Sequence, residues 1–184
     1  MDPAIRSISG VAVAGAAFPV VCAAGDNLAL HLAILEAPPG SVLVVSAGGI
    51  MGGYWGEVMT VAAQARGIAG LVIDGAVRDV QALRNRRFPV FARGLAILHT
   101  TKHEPGVRGG PTVVGGMLVH AGDWVVADED GVVIVPQSLR HRVWEQALER
   151  ARKEADYLNR LSQGATTLEL YGLKAPTGER VGGH

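Results

Sequence analysis

The chain has 184 residues, 48% of them hydrophobic and 18% charged, with 17 basic residues balanced by 17 acidic ones. That length is enough to bury one sizeable core and is short for two ordinary domains, so a single domain over residues 1–184 is expected. A net charge of zero and an aromatic content of 5% argue against nucleic acid and anionic membrane surfaces as partners and leave small molecules as the better fit.

Cys22 is the only cysteine, so neither an intrachain disulfide nor a multi-cysteine metal site can form. No run reaches the ~18 apolar residues of a membrane span. Met1-Asp2-Pro3 lacks the basic start of a secretion signal, and a soluble, cytoplasmic protein is expected.

In chain order, Val11 to Ala23 is β-branched and alanine-rich but broken by Gly15 and Pro19, which predicts a strand pair or a bent strand. Asp26 is placed to cap a helix from Asn27 to Glu36, where Leu28, Leu32 and Leu35 recur at helical spacing before Pro38-Pro39-Gly40. A strand from Val42 to Ser46 follows. Gly48, Gly49, Gly52 and Gly53 form a turn into a helix from Trp55 to Arg66, its face predicted from Trp55, Val58, Met59, Ala62 and Ala63. Ala69 to Ile73 reads as a buried strand ending at Asp74-Gly75, which completes a βαβ pattern.

A short helix from Asp79 to Asn85 and strands at Pro89 to Phe91 and Leu95 to His99 come next. From Thr112 the pattern becomes all-β, with a hairpin of Trp124 to Ala127 and Val132 to Val135 across an Asp-Gly turn. Leu139 to Leu161 is rich in Arg, Glu, Ala and Leu and predicts a surface helix, followed by a glycine-containing tail.

Several side chains along this path are suited to chemistry. Asp79 lies a few residues beyond a predicted strand, where α/β sheets gather ligands, although Asp is equally at home as a helix N-cap. Arg78 beside it offers a rigid fork of donors for a carboxylate or an enolate oxygen, or is a solvated surface residue. Glu57 opens a helix, where free backbone N–H groups make an anion site; its own charge also simply complements the helix dipole.

Glu154 interrupts the apolar stripe of Trp144, Ala147, Ala151, Leu158 and Leu161. It either meets a cation or an interface there, or is an exposed shoulder paired with Arg150. The six histidines show no H-x-x-x-H pattern, and the three lysines, Lys102, Lys153 and Lys174, stand in no pattern suited to Schiff-base chemistry.

Glu57 and Arg78-Asp79 are separated by twenty residues. This acidic-X20-Arg-Asp signature resembles that of the RraA-like family, which includes 4-hydroxy-4-methyl-2-oxoglutarate and 4-carboxy-4-hydroxy-2-oxoadipate aldolases. It sits within longer similar stretches: Pro38-Pro39-Gly40, Trp55-Gly56-Glu57, Asp74 to Asp79, Pro89 to Gly94 and Ala127 to Val133. Two departures are Ser46, where many relatives carry Asp, and Arg108-Gly109-Gly110 in place of a stretch with Asn. A helical segment common at the start of relatives is expected to be shortened or missing here.

The resemblance implies a single α/β domain of layered α/β/β/α type, akin to the phosphohistidine swivelling-domain fold. Its core spans about 10–136, with a C-terminal helix over about 138–162 and a tail over 163–184. Asp79 would ligate a divalent cation, Mg²⁺ or Mn²⁺, and Arg78 would contact a 2-keto acid. The segment Gly56, Glu57, Val58 and Met59 would bind substrate, and Glu57 would hold a metal-bound water. Glu154 from a neighbouring subunit would complete the site, in a homotrimer or homohexamer.

The implied reaction is class II aldol cleavage to pyruvate plus a second keto acid, with oxaloacetate decarboxylation through the same enolate. The alternative within the family is a non-catalytic protein that binds and inhibits a ribonuclease. A phosphohistidine carrier is disfavoured, because no histidine stands in a glycine-rich loop opening a helix.

Overall fold

The computed structural model describes residues 1–49 and 51–174. They belong to two compact units, Met1–Arg140 and His141–His184; Ile50, in the predicted glycine turn, and 175–184, the end of the predicted tail with His184, lie outside the described residues.

The first unit runs β1 (Arg6–Ser7), β2 (Val13–Val21), α1 (Leu28–Glu36), β3 (Ser41–Ser46), β4 (Gly53–Trp55), α2 (Glu57–Ala65), β5 (Gly70–Val77), α3 (Val80–Asn85), β6 (Val90–Leu95), β7 (Val107–Arg108), β8 (Thr112–Val114), β9 (Met117–Val119), β10 (Trp124–Ala127) and β11 (Val132–Val135). Among the described residues nine of these strands form one sheet in the order β1-β6-β5-β3-β2-β10-β11, with β4 added beside β5 and β7 beside β2. The central strands β6, β5, β3 and β2 are parallel and the flanks antiparallel.

The strand β3 shows why the sequence adopts this arrangement. Five of its six residues, Ser41 to Val45, are buried, as a parallel strand covered on both faces requires. Leu43 and Val45 join a core with Leu30 and Ile34 of α1, Met59 of α2 and Leu83 of α3. Val42 and Val44 point the other way, to Val72, Phe91, Val114, Val119 and Val125. The first unit is therefore α/β, with helices on one face of the sheet and β structure over the other.

The structure differs from the sequence reading at several places. Of the two readings of Val11 to Ala23, the pair is excluded and a single strand, Val13–Val21, is found. Pro19 is tolerated because, on the edge opposite β3, it falls between the stretch paired with β10 and the stretch paired with β7, where a missing N–H costs nothing. The strand predicted to stop at Asp74-Gly75 continues to Val77. Its register with β6 shifts between Ile73 and Ala76, and Gly75 is needed there, since a Cβ would lie 2.6 Å from the Ala47 Cβ. Leu95 to His99 is not a strand beyond Leu95.

Trp55 ends β4 instead of opening α2. Its buried ring stacks on Phe88 at 6.0 Å, and its Nε1–H donates to Thr60 Oγ1 at 2.7 Å, which in turn donates to the Gly56 carbonyl at 3.0 Å. The buried face of α2 is Met59, Thr60 and Ala63, leaving Val58 79% exposed. The predicted apolar stripe is thus rotated, because Thr60 is buried to serve the indole.

A 3-10 turn at Gln137–Leu139 leads into α4 (Arg140–Ser162), most of which makes up the second unit together with α5 (Thr167–Tyr171). The α5 helix was not anticipated, although its capping box of Thr166 and Glu169 is written in the sequence. Tyr157 packs edge-on to Tyr171 at 5.4 Å, and its hydroxyl donates to the Leu170 carbonyl. No helix among the described residues is long and apolar enough to cross a membrane.

Thr60→Val keeps the shape of the buried side chain but strands the Trp55 indole N–H. It is expected to cost roughly 1–3 kcal/mol in urea unfolding monitored by tryptophan fluorescence; an unchanged midpoint would contradict the arrangement.

Candidate active site

Three parallel strands end side by side. β4 pairs with the last residues of β5, Ala76 and Val77, and the Arg78 amide donates to the Trp55 carbonyl at 2.8 Å. On the other side of β5, the Ala96 amide donates to the Val77 carbonyl at 3.0 Å, and the Gly53 amide to that of Leu98 at 2.8 Å. The start of α2, the Arg78-Asp79 pair and the segment after β6 are thereby gathered at the carboxyl ends of the strands, where open α/β sheets place ligands.

Asp79 occupies the N-cap position of α3 but does not cap it through its side chain. Its backbone is left-handed, with φ 60° and ψ 36°, a region that costs a residue other than glycine of order 1–3 kcal/mol. The turn sends the carboxylate across to α2, where Oδ2 accepts the Glu57 amide at 3.0 Å. Asp79 thus satisfies one of the unpaired N–H groups of a neighbouring helix.

Arg78 Nε lies 3.8 Å from the same Oδ2. Two glycines make room for the pair. A Cβ on Gly56 would collide with Asp79 Oδ2 and lie 3.2 Å from Arg78 Nε, and one on Gly53 would lie 2.7 Å from the Ala96 carbonyl and 3.2 Å from Arg78 Cδ.

Of the remaining nominated residues, Gly56, Val58 and Met59 line the same cleft as Arg78 and Asp79, a hollow of about 170 Å³. The Glu57 carboxylate is engaged by Arg86, whose Nη2 and Nε donate to Oε1 at 2.7 and 2.9 Å. Sequence reasoning missed Arg86, which lies at the C-terminal end of α3 with no motif to mark it. Glu154 sits on α4 in the second unit, with its side chain 56% exposed and Oε1 accepting Arg150 Nε at 2.7 Å. This is the intrahelical pairing that its spacing allowed. A larger hollow of about 370 Å³, between Arg6–Gly10, Arg84 and Glu129, contains none of the nominated residues.

The cleft also brings in Asn27, His31, Tyr54, His99, Thr100 and Lys102, none of them singled out for function by the sequence. The segment bearing His99 to Lys102 is fixed by Asp26. This buried carboxylate accepts the Thr101 hydroxyl at 2.6 Å, the His103 amide at 2.7 Å and the Leu28 amide at 2.9 Å. Burial alone would raise its pKa, but the Thr101 hydroxyl and the backbone amides of His103, Leu28 and Glu104 hold it well below the usual carboxylate range. The N-cap of α1 is Asn27, not Asp26 as expected; Asp26 accepts the amide of the first helical residue, Leu28, and ties a distant segment to that helix.

Among the described residues no group of three or more His, Cys, Asp and Glu side chains is placed to hold a metal ion. An all-protein cage is therefore not what the site offers. A hard cation that keeps several waters needs only one or two carboxylates, and Asp79 is the residue here that would supply one. Its Oδ2 is steadied by the Glu57 amide, its Oδ1 accepts no hydrogen bond among the described residues, and its side chain is 43% exposed beside the cleft.

These features define an α/β protein whose small polar site, with one carboxylate and one guanidinium, lies where the parallel strands end and α2 begins. The family model described as Aldolase/RraA matches residues 1–134, and the chain belongs to this RraA-like family. A relative from Halalkalibacterium halodurans, provisionally named a 4-hydroxy-4-methyl-2-oxoglutarate aldolase, is 39% identical over 145 residues, covering 78% of this chain and 68% of the relative. An uncharacterised protein from Pseudomonas syringae pv. tomato has a crystal structure similar to this one at a TM-score of 0.85 and 33% identity, over 92% of this chain and 80% of that one. The RNA-processing inhibitor RraA from Thermus thermophilis is similar at a TM-score of 0.69 and 29% identity, over 74% and 84% of the two chains.

Because the folded pKa of Asp26 lies below its ordinary value of 3.8, the ionised carboxylate stabilises the fold above about pH 4 and loses that contribution as the pH falls further. Asp26→Asn is expected to lower stability at pH 7 by roughly 1–3 kcal/mol and to flatten the acid limb of the stability curve below about pH 4. An acid limb as steep as that of the parent chain, measured by denaturant titration at several pH values, would contradict this assignment.

Proposed function

We propose that the protein is a divalent-metal-dependent lyase that cleaves 4-hydroxy-4-methyl-2-oxoglutarate-type 2-keto acids to pyruvate and a second keto acid, with oxaloacetate decarboxylation by the same route. The observation that carries the proposal is the convergence of Arg78 and Asp79 with the first turn of α2, in a chain of the family to which provisionally named aldolases also belong.

In this reading Asp79 holds Mg²⁺ or Mn²⁺, which when bound supplies Lewis acidity toward the keto oxygen and the carboxylate of the substrate. The amides of Val58 and Met59 lack intrahelical partners, as in any first helical turn, and take the substrate carboxylate. Arg78 faces the oxygen on which enolate charge develops as C3 separates from C4. The same charge develops when oxaloacetate loses CO₂.

Proton delivery to C3 falls to a water oriented by Glu57, whose Oε1 is fixed by Arg86. Glu154 of a neighbouring copy serves as its partner, so the active form is a homotrimer or homohexamer with shared sites.

The likeness to the Thermus RNA-processing inhibitor gives weight to a second reading, a non-catalytic protein that binds and inhibits a ribonuclease. A turnover assay and a capture experiment separate the two. Pyruvate release from 4-hydroxy-4-methyl-2-oxoglutarate is expected with Mg²⁺ and is expected to vanish with chelator. Asp79→Ala and Arg78→Ala should each lower kcat/KM by about 100- to 1,000-fold. Turnover that survives chelator or Asp79→Ala would overturn the lyase mechanism; no turnover together with stoichiometric capture of a ribonuclease would favour the inhibitor.

A further inference from the structure

We propose that Asn27 and His31 form a hydroxyl-recognition pair in the cleft and select, for aldol cleavage, 2-keto acids that carry an alcohol on C4; decarboxylation makes no use of the pair. The inference rests on the lyase reading and deepens it by naming the feature that selects the substrate.

Asn27 is 95% buried. Its Nδ2 donates to the Tyr54 carbonyl at 2.9 Å and faces Met59 Sδ at 3.5 Å. A carbonyl only accepts, so the amide cannot be turned over, and the atom left unpaired is the acceptor Oδ1. That oxygen is buried without a partner among the described residues, and so is Nε2 of His31. His31 lies four residues on in the chain, and its backbone amide reaches toward the Asn27 carbonyl at 3.4 Å. Both residues line the cleft that also holds Arg78 and Asp79.

Two buried polar atoms without partners are costly, and the chemistry that would satisfy both is narrow. Burial, and then the charge of Lys102, lower the pKa of His31, which leaves a neutral imidazole with one donor and one acceptor nitrogen. A carboxylate has no hydrogen to give Asn27 Oδ1. An ammonium group could donate to both atoms but would be repelled by Lys102, which lines the same cleft.

A hydroxyl answers both demands. It donates to Oδ1 and accepts from Nε2–H. Lys102 then favours a substrate that is anionic overall. With the keto acid end held at Arg78 and Asp79, the alcohol that this pair would hold is the C4 hydroxyl. As C3–C4 breaks its oxygen becomes the carbonyl of the second product, its proton passes to a cleft water, and C3 takes a proton from the water oriented by Glu57. Pyruvate has no such group and makes no use of the pair.

The test compares two reactions of one protein: cleavage of 4-hydroxy-4-methyl-2-oxoglutarate, and exchange of pyruvate methyl protons with deuterated solvent followed by NMR. Exchange needs only the enolate-forming half of the site. His31→Phe keeps a ring of similar size without a donor, and His31→Gln returns an N–H donor near the position of Nε2.

The ratio of cleavage to exchange, each as kcat/KM, is expected to fall by about 10- to 100-fold in His31→Phe and to recover most of that loss in His31→Gln. A parallel fall of both reactions, or no change in their ratio, would overturn the hydroxyl pair. So would a parent protein that exchanges pyruvate protons but does not cleave the hydroxy acid. A parent protein that does neither overturns the lyase reading, and this inference with it.

Discussion

The hydrogen bond from the Glu57 amide to Asp79 Oδ2, 3.0 Å long, is the contact on which the site depends. It joins residues twenty-two positions apart and holds a left-handed aspartate against the start of a helix that it does not itself open. Removing the carboxylate would leave an unpaired amide at α2 and a strained turn after β5 with nothing in return. The bond forms because β4 pairs with the end of β5 and the left-handed turn at Asp79 aims its carboxylate at the start of α2.

Around that contact the chain devotes small residues and buried hydrogen bonds to keeping the cleft open. Gly56 sits where any side chain would strike Asp79, and Gly53 where one would strike the Ala96 carbonyl and crowd Arg78. Trp55 is buried against Phe88 and held by Thr60, which explains why a polar residue belongs on the buried face of α2. On the far side the Asp26 carboxylate binds the segment carrying His99 to Lys102 to the start of α1. The walls of the cleft thus come from stretches remote in sequence, each fixed by its own polar clamp.

Much of this was legible in the sequence, for identifiable reasons. The apolar run of β3 and the glycine turn leading into a helix predicted the βαβ core, because strands covered on both faces have little freedom of composition. The Arg78-Asp79 pair could be placed beyond a strand by counting. What periodicity could not supply was the partner of each polar group. Trp55 fits a helical stripe with Val58 and Met59, yet the indole needs Thr60, and the buried face of the helix turns accordingly. The Asp74-Gly75 dipeptide reads as a strand end, but a shift in register lets β5 run on to Val77. Arg86, Asn27 and His31 carry no signature, since their contacts with Glu57, Tyr54 and the cleft are made across distances in sequence that a local pattern cannot encode.

The central claim is that the Asp79 carboxylate anchors a hard cation beside Arg78. The most direct measurement is a crystal structure of the protein grown with Mn²⁺ and pyruvate, with anomalous data collected for manganese. The account predicts an anomalous peak in direct contact with Asp79 and the keto oxygen of pyruvate facing Arg78. A peak bound elsewhere, or pyruvate seated in the cleft with no cation at Asp79, would contradict it.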